Sequence, residues 1–303
     1  MTPLTGASVL VTGAGGFIGR RVVARLRRGG AAVVAWVRAA DEVPAEGLGQ
    51  VVDLGSGGAV RQALEGARFD AAVHLASAVR SVASFADAVA DAAMLAHLLD
   101  AYAAGAFGRV VCMGSADQYG AAPAPQGEDA PPAPASHYAL SKCVADVLAA
   151  FSGRALGRPV TVLRPFTVYG PGQPEHMFVS QLVRACVAGG EFRMSTGTQR
   201  RDFVYVDDVC DAVARAVALP RPAEGAFNLG TGVGTTLWEV AQRVREMTGG
   251  RATVVRAWEA PPGDPPALVA DASRAADVLG WRAATTLEAG LRKVIEHEEA
   301  RAC

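Results

Sequence analysis

Ser8 to Thr12 (SVLVT) is a short apolar run that opens directly onto a glycine cluster, Gly13, Gly15, Gly16 and Gly19. A run this short and this uniformly apolar reads as a parallel strand buried on both faces. The residues that follow, Phe17 to Arg28, read as a helix closed by Gly29-Gly30. The glycines have separate uses. Gly13 permits the tight turn out of the strand, Gly16 lets backbone come close to a diphosphate, and Gly19 allows the helix to pack against the sheet. The helix then begins with free N–H groups and the positive end of its dipole. A glycine triplet alone is weak evidence. With a strand before it and a helix after it, the turn predicts a dinucleotide site, with Gly13, Gly16, Phe17, Ile18 and Gly19 as its contacts.

The alternation continues along the chain. Ala32–Val37, Val51-Val52, Ala71–Leu75, Arg109–Met113 and Val160–Leu163 read as strands. Ala59–Leu64, Ser84–Ala104 and Ser136–Phe151 read as helices between them. Strands joined by helical crossovers predict an α/β fold, a doubly wound parallel sheet of the Rossmann type. Gly170-Pro171-Gly172-Gln173-Pro174 marks an excursion from the sheet, and Phe203–Val206 reads as a return to it. A helix from Asp207 to Leu219 and a last strand, Gly225–Leu229, follow. The expected organisation is a dinucleotide-binding domain of residues 1–170 and 201–230 with a smaller, discontinuous substrate-binding lobe of residues 171–200 and 231–303. A chain of 303 residues buries enough surface for both without disulfide or metal staples. The Pro-rich stretch Pro123 to Pro134 reads as a loop between core elements, ordered or mobile.

Lys+Arg 29 against Asp+Glu 30 leaves a net charge of -1, so there is no global field to hold a polyanion and no nucleic-acid partner is expected. No apolar stretch approaches the ~18 residues of a membrane span. The start, Met1-Thr2-Pro3-Leu4-Thr5-Gly6, lacks the basic region of a signal peptide. The five cysteines, Cys112, Cys143, Cys186, Cys210 and Cys303, form no CxxC pair, and the histidines show no metal spacing. A reducing cytoplasm and no metal are expected.

Two further clusters bear on chemistry. The second strand ends Ala35-Trp36-Val37-Arg38. An acid there would hold the ribose hydroxyls of NAD; Val37 occupies that position and Arg38 follows it. Arg38 can pair with a 2′-phosphate, which favours NADP(H) and leaves NAD(H) open. The competing reading is an ordinary surface arginine. Asp53 and Leu54 are placed to meet the adenine edge, and Arg20, Arg21, Arg25, Arg27 and Arg28 read as a solvated cationic face from which Arg20 can reach a cofactor phosphate. The second cluster is Tyr138-Ala139-Leu140-Ser141-Lys142. Four residues apart, the phenol and the ammonium share a helix face. A free phenol has a pKa of about 10, and a nearby ammonium lowers it. The spacing is common, and its weight comes from Ser115, which follows the fifth strand and should meet it at the carboxyl edge of the sheet.

Taken together, these blocks resemble the extended short-chain dehydrogenase/reductase family, the sugar-nucleotide epimerase/dehydratase group. The resemblance takes in His74-Leu75-Ala76, Gly114 through Gly120, Tyr138 through Lys142, Arg164 through Pro171, Arg201 through Asp208, and Leu279-Gly280-Trp281. It implies that Tyr138 is the catalytic acid/base, that Lys142 tunes it and holds the nicotinamide ribose, and that Ser115 bonds the reacting sugar oxygen. Leu75, Ala76 and Pro165 would lie along the cofactor. Asp117, Thr167 and Arg201 would face the substrate, Arg201 through the forked binding of a diphosphate; an ion pair with Asp202 is its competing reading. A homodimer through the helices near 84–104 and 136–151 is also implied. In the first of these, Phe85, Val89, Ala92, Leu95, Leu99 and Tyr102 form one apolar stripe and Met94, Leu98 and Ala101 a second, one for the sheet and one for a dimer seam.

The chain departs from the family pattern at three places. Asp91 stands where relatives often carry asparagine, Pro261-Pro262-Gly263-Asp264 lacks the arginine of an R-P-G-D block, and Thr167 replaces a frequent asparagine. Ser115-Ala116-Asp117 also lacks the middle acid of the Thr-Asp-Glu of dehydratases. The favoured expectation is NADPH-dependent reduction of a keto group on a nucleotide-linked deoxysugar. The alternative is an NAD-dependent 4-epimerase, with a decarboxylase or a non-catalytic dinucleotide sensor behind it.

Overall fold

The apolar runs lie side by side in a seven-stranded, all-parallel sheet in a computed structural model that describes residues 4–44, 48–77, 82–261 and 263–302. Cys303 and Pro262 of the Pro-Pro-Gly-Asp block lie outside the described residues. The first elements are β1 (Ser8–Thr12), α1 (Phe17–Arg28), β2 (Ala32–Val37), β3 (Leu48–Val51), α2 (Gly57–Ala63), β4 (Ala71–His74), α3 (Phe85–Ala103), β5 (Val110–Met113), α4 (His137–Leu156) and β6 (Val160–Pro165). Then come β7 (Thr167–Tyr169), α5 (Phe178–Val187), β8 (Glu191–Ser195), β9 (Arg200–Tyr205), α6 (Val206–Ala218), β10 (Gly225–Leu229), β11 (Gly234–Thr236), α7 (Leu237–Met247), β12 (Thr253–Trp258), β13 (Ala267–Leu268), α8 (Ser273–Leu279) and α9 (Leu287–Ala302).

The large sheet has the order β10-β6-β5-β4-β1-β2-β3. The chain leaves β1 in one direction and returns to β4 on its other side, so the strand order reverses between these two. A crevice opens at the carboxyl ends of such strands, and it is where ligands bind in doubly wound sheets. Alternation along the strands feeds two cores. Val9 and Val11 pack with Val22, Leu26, Val209 and Val213 under α1 and α6. Leu10 and Trp36 face the other way, with Leu95, Leu98 and Tyr102 of α3. A third core, including Leu182, Phe203, Val240 and Leu291, belongs to the smaller lobe.

Several expectations change. The segment at Phe203 does not return to the large sheet. β9 pairs with β7, β11 and β13 in a separate four-stranded sheet, because the antiparallel β11 and the parallel strands beside it occupy both of its edges. The third strand lies earlier, at Leu48–Val51, and is exposed as an edge. The cationic face of α1 is not wholly solvated. Arg21 and Arg25 reach 2.8 Å contacts with Asp207 and Asp211 of α6, tying the two helices together. On α3 the stripe of Met94, Leu98 and Ala101 is not the one left outside. Leu98 and Ala101 are buried, and Met94 is half-buried, while the apolar side chains that stay exposed are Phe85 and Val89 from the other stripe. The Pro-rich loop is held at Gln126, which is buried and bonds the backbone of Ala267 and Val269. No helix among the described residues is long and apolar enough to cross a membrane.

Candidate active site

The glycine turn is built as its sequence requires. Gly13 has φ +67°, and a Cβ there would lie 2.6 Å from the Ala76 nitrogen, so the turn sits hard against the end of β4. A Cβ on Gly19 would fall on the Gly13 carbonyl oxygen, so this glycine seats α1 on the loop rather than on the sheet. Gly16 caps α1 without a side-chain hydrogen bond, and the first turn holds no acid. The first N–H groups of the helix are therefore left to a ligand, and their partial positive charge suits a diphosphate. The uncapped start of α1 beside the tight glycine turn fits the diphosphate of a dinucleotide. Phe17 and Ile18 pack their side chains toward the core and offer backbone only. Arg20 Nε donates to the Gly15 carbonyl at 2.6 Å, alongside the same turn.

From this turn a cleft of about 560 Å³ runs along the strand ends. Gly13, Gly16, Arg38, Asp53, Leu54, Leu75 and Ala76, expected to share the cofactor, all line it. So does Glu42, which was not expected. The Arg38 side chain is 88% exposed and its guanidinium lies 2.7 Å from Glu42. The hydrogen bond from Arg38 holds the Glu42 carboxyl below its usual range. The end of β2 thus carries a carboxylate after all, supplied by the short turn after the strand rather than by the strand. Nothing in the local sequence signals this, since Glu42 reaches the site only when the turn folds back onto Gly15.

The second group of residues sits at the ends of β5 and β6 and on α4. Ser115 Oγ accepts from the Asp117 N–H at 3.2 Å, which leaves its own proton for the Tyr138 hydroxyl. Lys142 Nζ lies 5.3 Å from the centre of the Tyr138 ring. Tyr138 as a residue is half-buried, yet its hydroxyl is enclosed by protein. Burial, then the charge of Asp117, push the phenol up, Asp91 adds to this, and the Ser115 hydrogen bond opposes it. The expected lowering by Lys142 does not prevail, because the ammonium faces Asp91 at 3.5 Å in a buried pair. Ser77, from the cofactor cleft, and Ser141 also bond Asp91. These two serines were missed. Ser141 lies within the Tyr138–Lys142 motif, but its inward direction depends on the register of α3 against α4.

Pro165 is buried at the end of β6. Thr167 begins β7 and pairs with Phe203 of β9, which carries Arg201 to the same region. Arg201 pairs with Asp264 and donates to the Pro265 carbonyl at 2.8 Å. Its expected competitor, Asp202, instead accepts from Thr231 and Gly232. Asp117 is exposed as a residue, yet burial of its carboxyl pushes it up, Arg201 opposes this, and Asp264 adds to it. Beneath the site, Thr12 Oγ1 lies 2.8 Å from His74 Nδ1. Burial, reinforced by the Lys142 charge and resisted by Asp91, lowers His74 to about 3, so it is neutral. Among the described residues no cluster is suited to a metal ion.

Residues 9–230 match the NAD dependent epimerase/dehydratase family. The chain is 33% identical over 305 residues to the dTDP-6-deoxy-L-talose 4-dehydrogenase (NAD(P)(+)) of Kitasatospora kifunensis, covering 95% of this chain and 94% of that protein. It is 32% identical to the UDP-glucose 4-epimerase of Mycolicibacterium smegmatis, covering 95% and 97%. The structure of Thermus thermophilus UDP-glucose 4-epimerase in complex with NAD superposes with a TM-score of 0.86 at 29% identity, covering 96% of this chain and 98% of that one.

Proposed function

The chain belongs to the NAD-dependent epimerase/dehydratase family, and from that premise we propose that it is a reductase of a keto group on a nucleotide-linked deoxysugar, using NADPH in preference to NADH. The observation that carries this reading is the state of the phenol. Half-buried beside the charges of Asp117 and Asp91, the Tyr138 phenol is pushed up by burial and by those charges, which favours its protonated, donating form. A protonated phenol donates to a ketone oxygen, whereas an epimerase must begin with the phenolate as a base. The similarity to a 4-dehydrogenase of a deoxysugar nucleotide supports the same reading.

In this reading the dinucleotide, when bound, supplies the hydride. The α1 N-terminus and Gly13 hold its diphosphate, Asp53, Leu54, Leu75, Ala76 and Pro165 shape its channel, and Arg38 meets a 2′-phosphate. Ser115 polarises the carbonyl and Tyr138 protonates it. Lys142 orients the ribose, and Asp117, Thr167 and Arg201 face the sugar and its diphosphate. The four described cysteines are free thiols, in keeping with a cytoplasmic setting. The seven-stranded sheet and its helices make up the dinucleotide-binding domain, and the substrate lobe of residues 171–200 and 231–303 also takes in β7 and β9 from the segments expected in the first domain, with α3 and α4 as the faces of a homodimer.

The second reading is an NAD-dependent 4-epimerase, favoured by Glu42, a carboxylate at the ribose end of the cleft. Turnover separates the two. A reductase consumes one NADPH for each nucleotide-linked 4-keto-deoxysugar; an epimerase interconverts 4-hydroxyl isomers with no net NAD(P)H change. Tyr138→Phe should lower kcat by about 10²–10⁴ with little change in a fluorescence titration of NADPH. Near-normal turnover of that variant removes Tyr138 from the mechanism.

A further inference from the structure

A buried guanidinium joins the segments that carry the reacting groups, and the reaction as described gives it no task. Arg164 lies in β6, one residue before Pro165, and its side chain is 12% exposed. Its Nε and Nη2 donate to Asp146 Oδ2 on α4 at 2.9 and 2.5 Å. Its Nη1 donates to the Tyr119 hydroxyl at 2.8 Å and to the Glu128 carbonyl at 3.0 Å. Tyr119 closes the short turn Ala116–Tyr119 that follows Ser115, and it donates in turn to Asn228 Oδ1 of β10 at 2.7 Å. Gly114, immediately before Ser115, makes room for the arginine, since a Cβ there would lie 3.1 Å from Arg164 Cγ. On α4, Tyr138, Lys142 and Asp146 follow one another at a spacing of four, so they run along one side of the helix.

We propose that Arg164 is a positioning residue: by gripping Asp146 on α4 and Tyr119 on the turn after β5, it sets the spacing between Tyr138 and Ser115. The proposal rests on the reading of Ser115 and Tyr138 as the groups that act on the carbonyl. Arg164 acts through the backbone of the segments that carry them. Stability alone does not account for the buried pair. Taking two charges out of water costs about as much as their attraction returns, and apolar side chains of similar volume often serve as well. A planar fork gives what an apolar contact does not, because it holds a carboxylate and a hydroxyl in fixed directions at once. Reaction geometry is sensitive on that scale, since a displacement of about 1 Å lowers a rate by about 10².

Removing one partner would leave the other charge buried and unpaired, so the test replaces both. In Arg164→Met with Asp146→Leu, kcat for the NADPH-linked reduction should fall by about 10², with the KM and the fluorescence titration of NADPH little changed. In the wild type Ser115 and the Tyr138 hydroxyl share a hydrogen bond. A crystal structure of the double variant should show the two oxygens drawn apart by about 1 Å. Arg164→Lys keeps the charge opposite Asp146 and loses the fork, and its kcat should fall by about tenfold or more. If the double variant does not fold, the separation is read on Arg164→Lys. A wild-type kcat in Arg164→Lys overturns the proposal, because charge alone then suffices. So does an unchanged Ser115–Tyr138 separation, or a lowered melting temperature with kcat per folded molecule intact, which is a structural role only. If the wild type turns over no nucleotide-linked keto-sugar, the functional reading fails, while the crystal structures still decide whether the fork sets the spacing.

Discussion

Arg38 and Glu42 set two opposite charges at the mouth of the cleft, and in the proposed reading the balance between them sets which dinucleotide is preferred. A 2′-phosphate must draw the exposed guanidinium off the carboxylate and then lie near that same negative charge. One charge-assisted contact is worth about 1.5–3 kcal/mol, so Arg38→Ala should raise the KM for NADPH over that for NADH by about 10- to 150-fold, toward the lower end because Glu42 already competes. Glu42→Gln should move the preference the other way, lowering the NADPH KM. Parallel steady-state titrations of both cofactors decide it. A Glu42→Gln enzyme with unchanged preference would mean that the carboxylate plays no part. Much of the site was legible because it is local: the glycines lie in one turn, and Tyr138 and Lys142 lie on one helix face. Ser115 could be proposed because it closely follows a strand. Glu42, Ser77 and the inward turn of Asp91 were not legible, since each depends on how separate segments fold against one another.

The helices α3 and α4 carry the clearest unspent apolar surface. Phe85 and Val89 on α3 are 73% and 63% exposed, and Val147 and Phe151 on α4 are 68% and 59% exposed. Each pair is spaced by four residues, so each forms a stripe on its helix. In an isolated chain this surface stays in water at a cost, and a two-fold pairing of the same helices would remove it from water. Val147→Glu with Phe151→Glu should therefore shift the protein from dimer to monomer in sedimentation velocity, with the fold kept because neither side chain enters a core. A wild-type protein that sediments as a monomer at all concentrations would sink the idea. Helical spacing located both helices to within a residue or two at most ends, but α4 runs on to Leu156 before Gly157, with φ +61°, ends it. Spacing alone did not say which stripe faces outward, because α3 is apolar on more than one side and its neighbours choose the face.

At the level of the folded chain, stability should fall with mild acid for a reason that lies in the sheet itself. His74 ends β4 beside β1, where the strand order reverses, and is buried against Thr12. Burial first, then the positive charge of Lys142, lowers it from 6.5 to about 3. The sign follows from which state binds the proton. Above 6.5 neither state holds it and the contribution to stability is complete. Between 6.5 and about 3 the unfolded chain takes up a proton that the native chain refuses, so stability declines as pH falls, by about 1.4 kcal/mol per pH unit at most. His74→Asn keeps a polar partner for Thr12 and cannot titrate. Urea unfolding at about pH 7 and about pH 5.5 should show the wild type losing about 1 kcal/mol more than the variant across that interval. The carboxylates common to both proteins cancel in this comparison, so equal losses would mean that His74 is either protonated in the native state or hydrated in it. The same difference also bears on the site, because a proton on His74 would set a second cation in the network of Asp91 and Lys142.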